Sequence, residues 1–219
     1  LRENTQVLSK LYMGKGISLM GVTKAVLGEP SIAKAMVQGG VEFIADSRIE
    51  NILKMKNAEI STPFVLLRTP LSLAESIVQN VDISLNTEME TLKALSYEAK
   101  AQNKTHKVII MVELGDLREG VMLFDLPEFI RQTLSLSNIK IIGIGCNLAC
   151  YGGVKPDDKK MHELSELVVL LEKEFQIDLE IVSGGNSANY EWFKSSQNMG
   201  RINNLRIGES ILLGCETLG

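Results

Sequence analysis

The feature that most restricts this chain is a repeated alternation between short apolar runs and longer segments with apolar residues at helical spacing. The runs are ISLMGVTK from Ile17, VEFIADS from Val41, PFVLLR from Pro63, VDISLN from Val81, KVIIMVEL from Lys107, IKIIGIGCNL from Ile139, LEIVSGGNS from Leu179 and NLRIGESILL from Asn204. They are near-continuous in apolar residues, which is how a strand buried on both faces reads. Between them, Met89, Leu92, Leu95 and Ala99 share one helical stripe, as do Leu164, Leu167, Val168, Leu171 and Phe175. The chain opens in the same way, with Val7, Leu8, Leu11 and Tyr12 ahead of Gly14-Lys15-Gly16, a helix and its stop. Strands separated by helices must connect in parallel, and eight such units is the count at which a parallel sheet closes. The expected fold is therefore α/β, a (β/α)8 TIM barrel of eight parallel strands alternating with helices, filling residues 1–219 as one domain. An open doubly wound sheet fits less well, because no GxGxxG follows the first strand.

Composition narrows the function classes. A net charge of −4, with lysines and arginines scattered, offers no basic field for nucleic acid. No apolar run reaches the ~18 residues that a membrane span requires, and no signal-peptide pattern opens the chain. Three cysteines are too few and too odd for a disulfide framework, so the expected location is the cytoplasm. The sequence starts at Leu1, without a methionine, inside an apparent helix, and stops at Cys215-Glu-Thr-Leu-Gly219 directly after an apparent strand. It reads as a piece truncated at both ends.

In a closed barrel the site is built from groups at the C-terminal ends of the strands. Those ends carry Lys24, Asp46, Arg68, Asn86, Glu113, Asn147, Ser187 and Arg206. Asp46, Ser47, Asn86 and Thr87 read first as helix N-caps. Lys24 can snorkel to water, or it can sit in the barrel mouth, where desolvation lowers its pKa and the neutral amine attacks an aldehyde to form an imine. Two motifs favour the second reading: SGGNSANY (183–190) and LRIGES (205–210) place Gly and Ser at turns from strand into helix, where backbone N–H groups bind anions. Barrels commonly hold phosphate at the loops after strands seven and eight. A lysine that forms an imine and a phosphate cradle together suggest pyridoxal 5'-phosphate.

The segments GVTKAV, ELGDLREG, IGIGCNLACYGG, VSGGNSANY and NLRIGESILLG also resemble the barrel domain of the alanine racemase-like, fold-type III pyridoxal-phosphate enzymes. The resemblance covers nearly the whole chain, and FIADSRIENI, LGDLREG, CNLACYGG and RIGESILLG are most similar to the ornithine racemase branch. It implies that Lys24 holds the cofactor and then acts as a proton-transfer base. Arg206 takes the place of the family's arginine facing the pyridine nitrogen; being always protonated, it leaves that nitrogen unprotonated and the ring a weaker electron sink. Ser187 and the backbone amides of Gly208 and Glu209 match the phosphate cradle. Arg118 falls where the family's arginine meets the phenolic oxygen, and Asn147 where alanine racemases carry a histidine. Four residues after the lysine, where those enzymes have a tyrosine, this chain has Gly28. The resemblance further implies a small-molecule amino-acid substrate, a homodimer, and a C-terminal β domain supplying the second catalytic base, a domain absent from this sequence. Tyr151 and Cys150 are weak substitutes for that base.

Three functions compete on this reading: a pyridoxal-phosphate racemase of ornithine or a related amino acid, alanine racemase included; a barrel that carries the cofactor without turnover; and an aldolase that uses a lysine imine on a phosphorylated substrate. Cys146, Cys150 and Cys215 read as packed thiols and not as metal ligands, since His106 lies in a polar loop and His162 on a helix. Trp192 and Phe193 read as core. Glu113 and Asp116 flank Arg118 and read as residues that orient its loop.

Overall fold

The structure, a computed structural model, describes residues 1–149 and 153–215. The strands are β1 Ser18–Val22, β2 Phe43–Asp46, β3 Phe64–Leu66, β4 Ile83–Asn86, β5 His106–Met111, β6 Ile139–Gly145, β7 Ile181–Ser183 and β8 Asn204–Ile207. They pair in sequence order, all parallel, and β8 returns to β1, so the expected barrel is the fold observed. Helices α1 Arg2–Met13, α2 Pro30–Gln38, α3 Ile49–Asn57, α4 Ala74–Asn80, α5 Met89–Ala101, α6 Leu126–Leu134, α7 Asp158–Phe175, α8 Tyr190–Ser195 and α9 Glu209–Leu213 accompany them.

Successive strand side chains point to opposite faces, which gives the molecule two apolar layers. Met20, Val22, Ala45, Val65, Ile83, Leu85, Ile109, Met111 and Ile142 fill the barrel interior. The alternate positions, such as Leu19, Ile44, Leu66, Ile110 and Ile144, join the larger core under the helices. The stripes on α5 and α7 pack there as their spacing requires, and Trp192 and Phe193 are buried with them.

Several local expectations change. The last apolar run is two elements: β8 ends at Ile207, and Glu209–Leu213 form α9 beyond Gly208, so Cys215 follows a helix and not a strand. On α1 the buried positions are Thr5 and Tyr12, while Val7 and Leu11 are exposed. The caps of α3 and α5 are Arg48 and Glu88, neither with a side-chain cap bond. Asp46 does not cap because its buried carboxylate is occupied, accepting from Thr23 Oγ1 at 2.7 Å, Asn51 Nδ2 at 2.8 Å and the Arg48 N–H at 3.0 Å. Asn86 turns inward to Ser84, donating to its Oγ at 2.9 Å and its carbonyl at 3.0 Å. His106 is not in a loop: it opens β5, buried, 2.8 Å from Ser84 Oγ. No described helix is long and apolar enough to cross a membrane.

Candidate active site

The closing seam of the barrel determines where the site lies. Strands β1 and β8 pair with Met20 opposite Arg206 and Gly21 opposite Ile207, which sets the two strand ends side by side. The backbone then turns at Thr23, and Lys24 opens a short 3-10 turn, Lys24–Val26. Across the seam, Gly208 lies so close to β1 that a Cβ there would stand 3.2 Å from Val22 Cβ and 3.3 Å from its carbonyl oxygen. A larger residue at 208 would push the β8 turn away from the lysine.

These approaches create a cavity of about 250 Å³ at the mouth of the barrel. All seven residues singled out in the sequence line it: Lys24, Arg118, Asn147, Ser187, Arg206, Gly208 and Glu209. They come from the ends of β1, β5, β6, β7 and β8, brought to one point by closure. Lys24 is exposed and not desolvated, yet it faces the same space as the two Gly-Ser turns. Ser47, Leu67 and Glu119 also line this wall, a role the sequence did not reveal: Ser47 read as a helix cap, Leu67 as part of an apolar run, and nothing within ELGDLREG sets Glu119 apart.

The anion side is built by local hydrogen bonds. Asn186 Oδ1 accepts from the Ala188 N–H at 2.9 Å and Asn189 Oδ1 accepts from the Asn186 N–H at 3.0 Å, a reciprocal cap at the turn after β7. Gly185, at φ +140°, admits no Cβ, which would fall 2.3 Å from Asn189 Oδ1. Ser187 Oγ accepts from the Ser210 N–H at 3.2 Å and so ties this turn to the one after β8. Asn186 Nδ2 donates to Asn147 Oδ1 and to the Leu148 carbonyl, both at 2.9 Å, which joins the β6 loop to the same cradle. The helices that follow are short, six residues in α8 and five in α9. An anion held here would therefore meet a hydroxyl and first-turn N–H groups more than a long macrodipole.

Arg206 is buried at the top of a polar file inside an otherwise apolar barrel. Its Nη1 donates to Ser183 Oγ at 2.6 Å and its Nη2 to the Cys146 carbonyl at 2.7 Å. Ser183 donates to Asn204 Oδ1 at 2.9 Å, and Asn204 Nδ2 donates to Ser18 Oγ at 3.1 Å. A buried guanidinium is retained where its N–H groups are matched and held in one orientation, as they are here. Ser183 and Asn204 open two of the quoted segments, but their linkage to each other and to Ser18 was not legible, because it exists only once β7, β8 and β1 are neighbours.

On the opposite wall, Glu113 accepts from the Gly115 N–H at 2.5 Å and the Arg118 N–H at 3.3 Å, fixing the loop that carries Arg118, as expected of it. Cys146 is a buried thiol pushed up to about 12, first by burial, and it donates to the Gly184 carbonyl at 3.3 Å, so it packs and does not act as a nucleophile. Cys150 and Tyr151 lie outside the described residues.

A closed barrel with a lysine at the first strand end and an anion cradle at the last two defines a class of phosphate-binding α/β barrel. The family model for the N-terminal domain of alanine racemase matches residues 1–214, and the chain belongs to that family. It is 43% identical over 219 residues to ornithine racemase of Acetoanaerobium sticklandii, covering 99% of this chain and 62% of that protein. To lysine racemase of Thermotoga maritima it is 36% identical over 216 residues, covering 98% of this chain and 60% of that protein. Alanine racemase of Streptomyces lavendulae superposes with a TM-score of 0.79 at 17% identity, over 96% of this chain and 56% of that one, a likeness of fold. The chain thus spans about 60% of the length of the curated relatives it matches.

The cofactor implied by the family is pyridoxal 5'-phosphate, and the residues present fit it. The cavity offers an amine at Lys24, three further cationic side chains in Arg68, Arg118 and Arg206, and a hydroxyl at Ser187 beside the backbone of Gly208. Gly28 also has a structural explanation. Its φ is +59°, and a Cβ would lie 2.6 Å from Asn51 Cβ and 2.9 Å from the Asn51 carbonyl, so no tyrosine fits while α3 occupies that place.

Proposed function

We propose that the protein of which this barrel is part is a pyridoxal-phosphate-dependent racemase that exchanges the Cα proton of a basic amino acid, ornithine first. The observation that carries the reading is the convergence of Lys24, the Ser187/Gly208/Glu209 cradle and Arg206 on one cavity. The two racemases of basic amino acids among its relatives support the substrate class.

When bound, the cofactor supplies an aldehyde that takes up amines and a ring that draws electron density from Cα. The chain's own residues do the rest. Lys24 Nζ anchors the cofactor and, in its neutral form, takes a proton from Cα and returns one to it. Ser187 Oγ and the N–H groups of Gly208 and Glu209 would hold the phosphate, and Arg118 would meet the phenolic oxygen. Asn147, fastened to Asn186, would lie beside the ring. Arg206 only donates, so a ring nitrogen set against it stays an acceptor and Cα is exposed to modest electron withdrawal, which suits proton exchange over deeper rearrangement. The reading extends to a homodimer in the cytoplasm, with a second base supplied from outside the described residues, and it rests there on the family resemblance.

The test uses the full-length gene product. Borohydride reduction should add the mass of one reduced cofactor, on the peptide carrying Lys24, and Lys24→Ala should abolish both the colour and the added mass. In heavy water, L-ornithine should gain Cα deuterium and appear as both enantiomers. Colour without exchange, for ornithine, lysine and alanine alike, would leave a cofactor carrier and refute the racemase.

A further inference from the structure

The mouth of the barrel holds a second chamber beside the one just described. Its volume is about 340 Å³, and it lies over the ends of β3, β4 and β5. Ser47, Leu67, Arg68, Leu85 and Glu119 line both spaces, so the two are adjacent. Beyond this shared wall the second chamber is rich in hydrogen-bond acceptors, with Asn86, Thr87, Glu88 and Thr91. Its apolar side is formed by Leu67, Leu85 and Met111. Asn86 is buried, 3% exposed, and its Oδ1 has no hydrogen-bond partner.

Two unpaired charges, Glu119 and Arg68, line both chambers, whereas Lys24 and Glu88, also without a side-chain partner among the described residues, each line one chamber alone. Glu113, Arg118 and Arg206 are engaged with neighbouring groups. Glu119, half-buried, and Arg68, exposed, have no hydrogen bond or ion pair among the described residues, and they do not pair with one another. An unpaired carboxylate at the edge of a low-dielectric cleft attracts a cation strongly. A carboxylate and a guanidinium left open in one mouth complement a ligand that carries both charges. An amino acid with a cationic side chain is such a ligand: its carboxylate matches Arg68, its terminal ammonium matches Glu119, and its methylenes match the leucine and methionine wall.

We propose that the second chamber receives the substrate's side chain and that Glu119 accepts the terminal ammonium, which makes Glu119 the residue that selects a diamino acid over an aliphatic one. This rests on the racemase reading above and adds the residue responsible for its specificity.

The test compares L-ornithine with L-norvaline, which has the same carbon chain and no terminal ammonium, on the full-length holoenzyme. Dissociation constants come from absorbance titration of the cofactor and are set beside kcat/KM for Cα exchange. The native protein should favour ornithine, and Glu119→Gln should reduce that preference about 10- to 100-fold in both readouts, the effect of losing one charge-assisted hydrogen bond. Glu119→Asp keeps the charge but withdraws it by one methylene, so it should move the preference from ornithine towards lysine; it carries the test if the glutamine variant does not fold. A native protein that binds norvaline as well as ornithine, or variants with unchanged ratios, would overturn the assignment. Failure of the native protein to take up the cofactor would remove the racemase reading along with it, whereas full cofactor loading with unchanged ratios would remove Glu119 alone.

Discussion

The buried His106 predicts an acid sensitivity that can be measured. His106 Nε2 lies 2.8 Å from Ser84 Oγ, which in turn accepts from Asn86 Nδ2 at 2.9 Å. The chain of donors is consistent if the hydroxyl gives its proton to a neutral imidazole. A proton on Nε2 would turn the ring into a donor facing a hydroxyl that already accepts from Asn86. Burial, and next the nearby charge of Lys104, lower the His106 pKa from 6.5 to about 4. As the pH falls below 6.5, the unfolded chain therefore takes up a proton that the folded chain refuses until about pH 4. Stability is fully present above the unfolded value and is lost through that window. At about 1.4 kcal/mol per pH unit, the total is about 3 kcal/mol, of which about 2 kcal/mol falls between pH 6.5 and 5, above the range of ordinary carboxylates. The assay is urea unfolding followed by far-UV circular dichroism at pH 7.5, 6.5, 5.5 and 5.0. His106→Leu should be less stable at neutral pH, since Ser84 loses its acceptor, but flat by comparison over this window. A native profile without the decline, or an equal slope in His106→Leu, would refute the reasoning.

Two further substitutions probe the walls of the site. Gly28→Ala, at φ +59° and 2.6 Å from Asn51 Cβ, should lower stability by about 1–3 kcal/mol in thermal unfolding; an unchanged midpoint would show that α3 yields and that Gly28 is not imposed by space. Ser183→Ala removes the group between Arg206 Nη1 and Asn204 Oδ1 and should cost about 2 kcal/mol in urea unfolding. Combined with Asn204→Ala it should add less than the sum of the two, because both act on one file of hydrogen bonds, and strict additivity would disprove the linkage.

The barrel was legible because its signal is periodic and repeated: eight apolar runs, each followed by polar loop residues and most by an amphipathic helix, leave few other arrangements. Six of the seven cavity residues were legible for a different reason, since strand ends and Gly-Ser turns announce themselves locally, whereas Arg118 was indicated by the family resemblance alone. What the sequence could not carry was anything that depends on which strands become neighbours. Ser18 and Asn204 are 186 positions apart, yet their side chains meet, and nothing local to either residue points to the other. His106 was misplaced because the residues around it, Lys104, Thr105 and Lys107, are polar, while β5 starts one residue earlier than the apolar run suggests. Asp46 looked like a cap because its type favours caps, but burial under Thr23 and Asn51 gave it other partners. Glu119 lies within ELGDLREG, but nothing in that segment marks its role; it is one of the residues that both chambers share.

The site is also a consequence of closure. Lys24 belongs to the first strand unit and Arg206, Gly208 and Glu209 to the last, so nothing in the chain's local structure brings them together before β1 pairs with β8. The pairing spans Ser18–Gly21 against Asn204–Ile207, and the interior polar file crosses the same seam through Asn204 and Ser18. The amine, the anion cradle and the guanidinium are thus ordered by one set of contacts, and the last pairing to complete the ring also completes the cavity. Loosening this seam would separate the lysine from the cradle while leaving each turn intact. Gly208 is where that dependence is most acute, because its missing side chain is what lets the β8 turn approach within van der Waals contact of Val22, two residues ahead of Lys24.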